Sequence, residues 1–234
     1  MKILEIPFSY KDRTEKCVLV ILNTCDYAKI AHFPEKWLSN DELKKFNAIS
    51  SEKTRMHFAL GRVASKKALN SFENIIPDCI NIKNENNGCP NIENSLYCTS
   101  ISHSRDIIAS LVFKNEFSFG IDVEYSQKSK IKALKHINTD KESIPDDIKS
   151  LTVCWTIKEA LGKAIKCGFS IPFSEFEISK FSERNGIFEC KFEKHQDFKG
   201  IAIYSNEKSL AISCKREYIV EDITINRMLQ LFAI

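Results

Sequence analysis

Hydrophobic and polar positions along this chain switch between two periods. Residues 17–23, CVLVILN, form a short β-branched run closed by Asn23-Thr24 and predict a buried strand. From Leu38 the pattern becomes helical. Ser39 or Asn40 can cap it, and Asp41 and Glu42 suit a first turn. The helical region runs to about Asn70, with a break near Ser50-Ser51. A polar stretch over 81–95, containing Asn87-Gly88 and Cys89-Pro90, predicts turns. YCTSISHS and IIASLVF then predict two strands joined at Arg105-Asp106. The second half repeats the plan. FSFGIDVEYS, 117–126, alternates strictly and predicts a strand; 129–137 predicts a short helix. A longer helix over 146–167 is opened by Pro145-Asp146-Asp147 and stopped by Gly168. Three strands follow: FEISKFS, GIFECKFEK behind an Asn185-Gly186 hairpin turn, and GIAIYSN running on to SLAISCKR. Each half reads strand, helices, strands. The expectation is an α+β fold with halves 1–114 and 115–234, duplicated in structure but without a visible sequence repeat.

Composition narrows the class. At 234 residues and 43% hydrophobic, the chain can bury a core in one large domain or two small ones, and it is not of disordered composition. Seven glycines disfavour a fold of Gly-rich phosphate loops. The longest apolar run, Cys17 to Leu22, is far short of the roughly 20 residues a membrane span needs. The opening MKILEIPFSYK has neither the apolar stretch nor the cleavage site of a signal peptide. Nine cysteines include no C-x-x-C pair, and their number is odd, so free thiols in a reducing cytoplasm are expected. A net charge of +3 does not imply nucleic acid but permits an acidic partner.

Candidate chemistry lies in four places. In FSFGIDVEYS, Phe117, Phe119, Ile121 and Val123 share one face of the strand, while Ser118, Gly120, Asp122 and Glu124 share the other. Two carboxylates on one face make a hard, anionic oxygen site of the kind Mg²⁺ takes. The plainer reading is a half-exposed strand with an acidic wet face. Gly120 removes a side chain where something can approach closely. In VCWTIKEALGKAIKCG, Trp155, Glu159 and Lys163 stand i, i+4, i+8 on one helix face. As a surface pair, Glu159 and Lys163 would be worth about 0.3–0.5 kcal/mol; burial of Trp155 would instead draw them to a cleft. Ser102 and His103, in Ile101-Ser102-His103-Ser104, can donate to phosphate oxygens, and nothing at triad spacing marks them as hydrolytic. Gly88-Cys89-Pro90 reads only as a turn.

Taken in order, GCP, ISHS, GIDVE, WTIKEALGK and GFSIP resemble the 4′-phosphopantetheinyl transferases of the Sfp type. Their pattern is G-x-P, S-H-S, G-[IV]-D-[IV]-E and W-x-x-K-E-x-x-x-K, and the resemblance covers roughly residues 38–223. It implies a pseudo-dimer of two similar α/β halves with coenzyme A and Mg²⁺ in the cleft between them. It implies transfer of phosphopantetheine from coenzyme A to a serine of an apo acyl- or peptidyl-carrier protein, by a cytoplasmic monomer that engages neither nucleic acid nor membrane. By the same resemblance Asp122, Glu124 and Glu159 hold Mg²⁺, for which Mn²⁺ can substitute, and Glu159 accepts the serine proton. Lys163 contacts the pyrophosphate. His103 with Ser102 takes phosphate on the nucleotide side, and Gly88, Cys89 and Pro90 lie against the adenine. Lys53 and Arg55 are drawn from a basic pool that also holds Lys44, Lys45 and Arg62. The chain departs from the pattern at Cys89, where many members have Lys. It departs again at HINTDKE, 136–142, where Asp140 or Glu142 stands for an expected acid. Two other readings are a metal-dependent nuclease and a non-catalytic carrier-binding protein. Nuclease Glu-x-Lys pairs sit two apart on a strand, whereas Glu159 and Lys163 are four apart on a helix.

Overall fold

Two side-chain-capped helices, each laid across an antiparallel sheet, organise the chain. The computed structural model describes residues 1–138, 141–167 and 171–233. Contacts divide the protein into two units, Met1–Glu5 with Cys17–Phe117, and Ile6–Lys16 with Ser118–Ile234. The halves read from the sequence leave residues 6–16 and 115–117 on the other side of this division.

The first sheet begins with a hairpin of β1 (Lys2–Tyr10) and β2 (Arg13–Asn23), turned at Lys11, whose φ is 52°. The alternation of β1, with Ile6 and Phe8 buried between exposed neighbours, is a strand signal that the sequence reading passed over. After α1 (Tyr27–Ala31), a capping box opens α2 (Asn40–Ala48): Ser39 Oγ accepts from Glu42 N at 3.3 Å, and the Glu42 carboxylate accepts from Ser39 N at 2.9 Å. The expected break at Ser50-Ser51 is real, and Ser51 caps the long α3 (Glu52–Leu69). The stretch expected to be only turns contains two short strands, β3 (Ile82–Asn84) and β4 (Pro90–Ile92). Ile82 and Ile92 are paired and fully buried, and two apolar anchors flanking a polar turn are enough to close a hairpin. β5 (Tyr97–Ser104) and β6 (Ile107–Lys114) complete a sheet of order β1-β2-β6-β5-β4-β3, and α3 packs on β5 and β6.

The second unit follows the same plan. β7 (Phe119–Tyr125) leads through α4 (Ile131–Ile137) to α5 (Ile148–Ala164), capped by Asp147 Oδ1, which accepts from Ser150 N at 2.9 Å. The helix stop assigned to Gly168 lies outside the described residues. β8 (Ile178–Arg184) and β9 (Ile187–Phe192) form the expected Asn185-Gly186 hairpin. The last predicted strand is in fact two, β10 (Phe198–Ser205) and β11 (Lys208–Lys215). Asn206 and Glu207, at φ of 50° and 59°, turn the chain between them, and the missing Gly hid this turn from the sequence. A terminal helix, α6 (Asp222–Ala233), was also not foreseen. The sheet order is β7-β11-β10-β9-β8, with α5 packed on β7, β11 and β10. The fold is α+β with two antiparallel sheets. Setting β1 aside, β2-β6-β5-β4-β3 repeats as β7-β11-β10-β9-β8, first strand beside last.

The repeat extends to a buried ion pair. In the first unit the Glu42 carboxylate binds Lys66 of α3 and accepts from Ile82 N, the first residue of β3, at 3.0 Å. In the second, Glu142 binds Lys158 of α5 at 2.8 Å and accepts from Ile178 N, the first residue of β8, at 2.7 Å. In both, a carboxylate ties the main helix to the strand that opens the return sheet. A charge buried this deeply is tolerated only when paired and hydrogen-bonded.

Candidate active site

The site of the second unit starts from a missing side chain. A Cβ on Gly120 would lie 2.0 Å from the carbonyl oxygen of Ala160 and 2.5 Å from the amide nitrogen of Ala164. Glycine therefore lets α5 lie directly on β7, so the close approach read from the sequence is that of a helix and not of a ligand. Two residues on, Asp122 shares the face of Gly120. It is 5% exposed, so this part of β7 is a buried face and not the wet acidic one of the plainer reading. Lys163, on the same stretch of α5, donates to Asp122 Oδ1 at 2.8 Å and to the carbonyl of Ile121 at 3.0 Å.

Beyond the first turn of α5, Trp155, Glu159 and Lys163 form a half-buried stripe on an otherwise buried helix, and Trp155 rests against Phe173 with ring centroids 5.0 Å apart. Glu159 is pushed up to about 7 by burial first and then by the charges of Asp122 and Glu124, with Lys163 acting the other way. Those causes place the three carboxylates within electrostatic reach of one another. Among the described residues, no group of three or more His, Cys, Asp or Glu side chains is closed up as metal ligands. The donor set of Asp122, Glu124 and Glu159 is nevertheless all carboxylate oxygen with mutual repulsion that a divalent cation would relieve, and so fits Mg²⁺ or Mn²⁺. The adjacent Lys158 points into the core and holds Glu142. Glu142 is thereby a structural acid, while the other candidate, Asp140, lies outside the described residues.

In the first unit, Ser102 is buried and His103 exposed near the end of β5. The His103 ring stacks on His57 of α3, centroids 4.3 Å apart and planes at 30°. His57 was missed in the sequence because it falls on the buried side of α3, where a lone polar residue carries no spacing signal. Gly88 has φ of 84°, with open space where a Cβ would stand. The loop is closed by Glu85 N donating to the Cys89 carbonyl at 2.8 Å, and Cys89 is half-buried. Pro90 begins β4. The basic pool divides. Arg62 is buried, donating to Asn84 Oδ1 at 2.8 Å and lying 3.9 Å from Glu42; Lys44 pairs with Asp41 on the surface. Arg55 lies 5.6 Å over the Phe46 ring, and Lys53 and Lys45 are exposed.

Residues 118–219, which contain β7, α5 and the whole second sheet, match the family model of the 4′-phosphopantetheinyl transferase superfamily. The superfamily read from the motifs is thus reached again by a second route, over this segment. No curated protein matches the chain. Among solved structures, the chain is similar to a holo-(acyl-carrier-protein) synthase from Bacillus anthracis in complex with CoA (3′,5′-ADP), at 19% identity and a TM-score of 0.38. That match covers 47% of this chain and 96% of the other. Among the described residues, no helix is long and apolar enough to cross a membrane.

Proposed function

We propose that the protein is a 4′-phosphopantetheinyl transferase of the Sfp type, which moves the phosphopantetheine arm of coenzyme A to a serine of an apo acyl- or peptidyl-carrier protein. The observation that carries this reading is the set Asp122, Glu124, Glu159 and Lys163, gathered by the contact of β7 with α5 inside the segment that matches the superfamily.

In the reaction the serine Oγ attacks the phosphorus that bears the pantetheine. The bond from that phosphorus to the bridging oxygen breaks, and adenosine 3′,5′-bisphosphate leaves. Asp122, Glu124 and Glu159 would hold Mg²⁺ or Mn²⁺, and the metal would supply Lewis-acid neutralisation of the pyrophosphate. Glu159 takes the serine proton at its carboxylate. Lys163 Nζ carries positive charge beside Asp122 and stabilises the departing phosphate. Trp155, resting on Phe173, screens one end of the stripe from water. In the first unit, His103 with Ser102 takes the 3′-phosphate, and the Gly88–Pro90 loop offers its backbone to the adenine.

The decisive assay is the intact mass of an apo carrier protein incubated with coenzyme A and Mg²⁺. The expected result is a gain of one phosphopantetheine arm, abolished by exhaustive chelation and restored by Mg²⁺ or Mn²⁺. A carrier of unchanged mass overturns the reading, and transfer that survives chelation removes the metal role from the three carboxylates.

A further inference from the structure

An exposed imidazole on a strand end has two side-chain torsions, and binding an anion fixes them both. His103 is such a ring, yet it stands against a second imidazole. His57, only 8% exposed, donates its Nε2 hydrogen to the carbonyl of Arg105 at 3.1 Å. A carbonyl can only accept, so that bond places the hydrogen on Nε2 and fixes the plane of the His57 ring. The turn it grips is held from the other side as well. Thr24 N donates to the carbonyl of Asp106 at 2.8 Å, and Asn23 Nδ2 to Asp106 Oδ2 at 2.9 Å. Arg105 itself sits at φ of 51°, a conformation that needs such anchoring. The strand end that carries His103 is therefore clamped at both residues of its turn, and the buried ring of the clamp forms the floor under His103.

We infer that His57 is the positioning residue of His103: its carbonyl-anchored ring holds the exposed imidazole in one orientation, and its π-face supports that imidazole when it is protonated against a phosphate monoester. The inference deepens the proposed function and rests on the role given there to His103. His57 touches no substrate. Its effect is preorganisation, which lowers the cost of binding the nucleotide end of coenzyme A and leaves the reacting phosphorus alone.

The test compares His57→Ala and His57→Phe by coenzyme A kinetics and by the imidazole proton shifts of His103 in NMR spectra, with and without adenosine 3′,5′-bisphosphate. His57→Ala is expected to raise the coenzyme A KM about five- to tenfold with kcat within about twofold. His57→Phe keeps a ring beneath His103 and is expected to return KM to within about twofold of the parent. An unchanged KM in His57→Ala, equal impairment of both variants, or a loss confined to kcat overturns the inference. The NMR arm separates it from the function. If the parent protein neither transfers phosphopantetheine nor binds the bisphosphate, the proposed function fails, but the ring-current shift of His103 must still vanish in His57→Ala and persist in His57→Phe. A His103 shift that is the same in all three proteins overturns the positioning role whatever the protein does.

Discussion

Glu159 shows how three carboxylates and a lysine share one small region. Because burial and its acidic neighbours raise its pKa from 4.5 to about 7, the metal-free folded protein holds a proton there that the unfolded chain has released. Stability from this group is therefore fully present below about pH 4.5 and is lost as pH rises through about 7. In a chelating buffer, the melting temperature of the parent should fall relative to Glu159→Gln between pH 5 and 8, and Mg²⁺ should reverse the loss. Parallel melting curves would show that Glu159 is not crowded by Asp122 and Glu124. In the transfer assay, Glu159→Gln and Lys163→Ala should each lower kcat by about 10²-fold or more while circular dichroism stays native. Near-normal turnover in both would return the pair to an ordinary helix surface. Cys89 offers a test of the nucleotide loop. Cys89→Lys adds an exposed cation, worth about 1 kcal/mol or roughly fivefold in coenzyme A KM, with kcat unchanged. An unchanged KM would mean that the loop does not face the nucleotide.

At the scale of elements, Gly120 and the Glu142–Lys158 pair set how α5 meets its sheet. Gly120→Ala would drive a methyl group into the helix backbone, which cannot rotate away as a side chain would. A loss of more than about 3 kcal/mol in chemical denaturation is expected, together with loss of transfer. A stable, active Gly120→Ala would contradict the packing of α5 on β7. Lys158→Met leaves Glu142 buried without its cation and should cost about 3–5 kcal/mol. Adding Glu142→Leu should recover part of that loss but not all, because Ile178 N then has no acceptor. Most elements were legible from capping residues and periodicity, as with Ser39, Ser51 and Asp147. Those that were not lacked local signals. β3 and β4 are three residues each, and the β10–β11 turn is made without Gly. In the site, Asp122, Glu124, Glu159 and Lys163 stood out by spacing. The roles of Gly120, Glu142 and His57 depend on contacts between distant segments, which no spacing records.

For the molecule as a whole, the modest excess of positive charge is unevenly committed. Arg62 and Lys66 are consumed in the core of the first unit, and Lys44 leans on Asp41. Lys45 and Lys53 remain on the surface of α2 and α3, where under the proposed function they would meet an acidic carrier. The carrier KM should therefore rise with salt, since exposed charges are screened over about 10 Å at 0.1 M. A KM indifferent to salt would indicate an apolar docking surface instead.

The strand order has a consequence for biosynthesis. β7, which carries Asp122 and Glu124, takes its place in the sheet beside β11, the last strand to be made. A nascent chain that has already emerged past Lys163 thus has β7 and α5 but lacks β10 and β11, the other two strands on which α5 packs. The part of α5 that packs on β10 and β11 must wait uncovered while about fifty more residues are translated, and the long loop that β11 finally closes makes this a slow step. Truncations just before Lys208 should yield insoluble, inactive protein although they remove no residue assigned to the chemistry. Supplying the missing strand in trans, as a peptide spanning residues 208–215, would be a direct measure of how far the seating of β7 and α5 depends on the last strand.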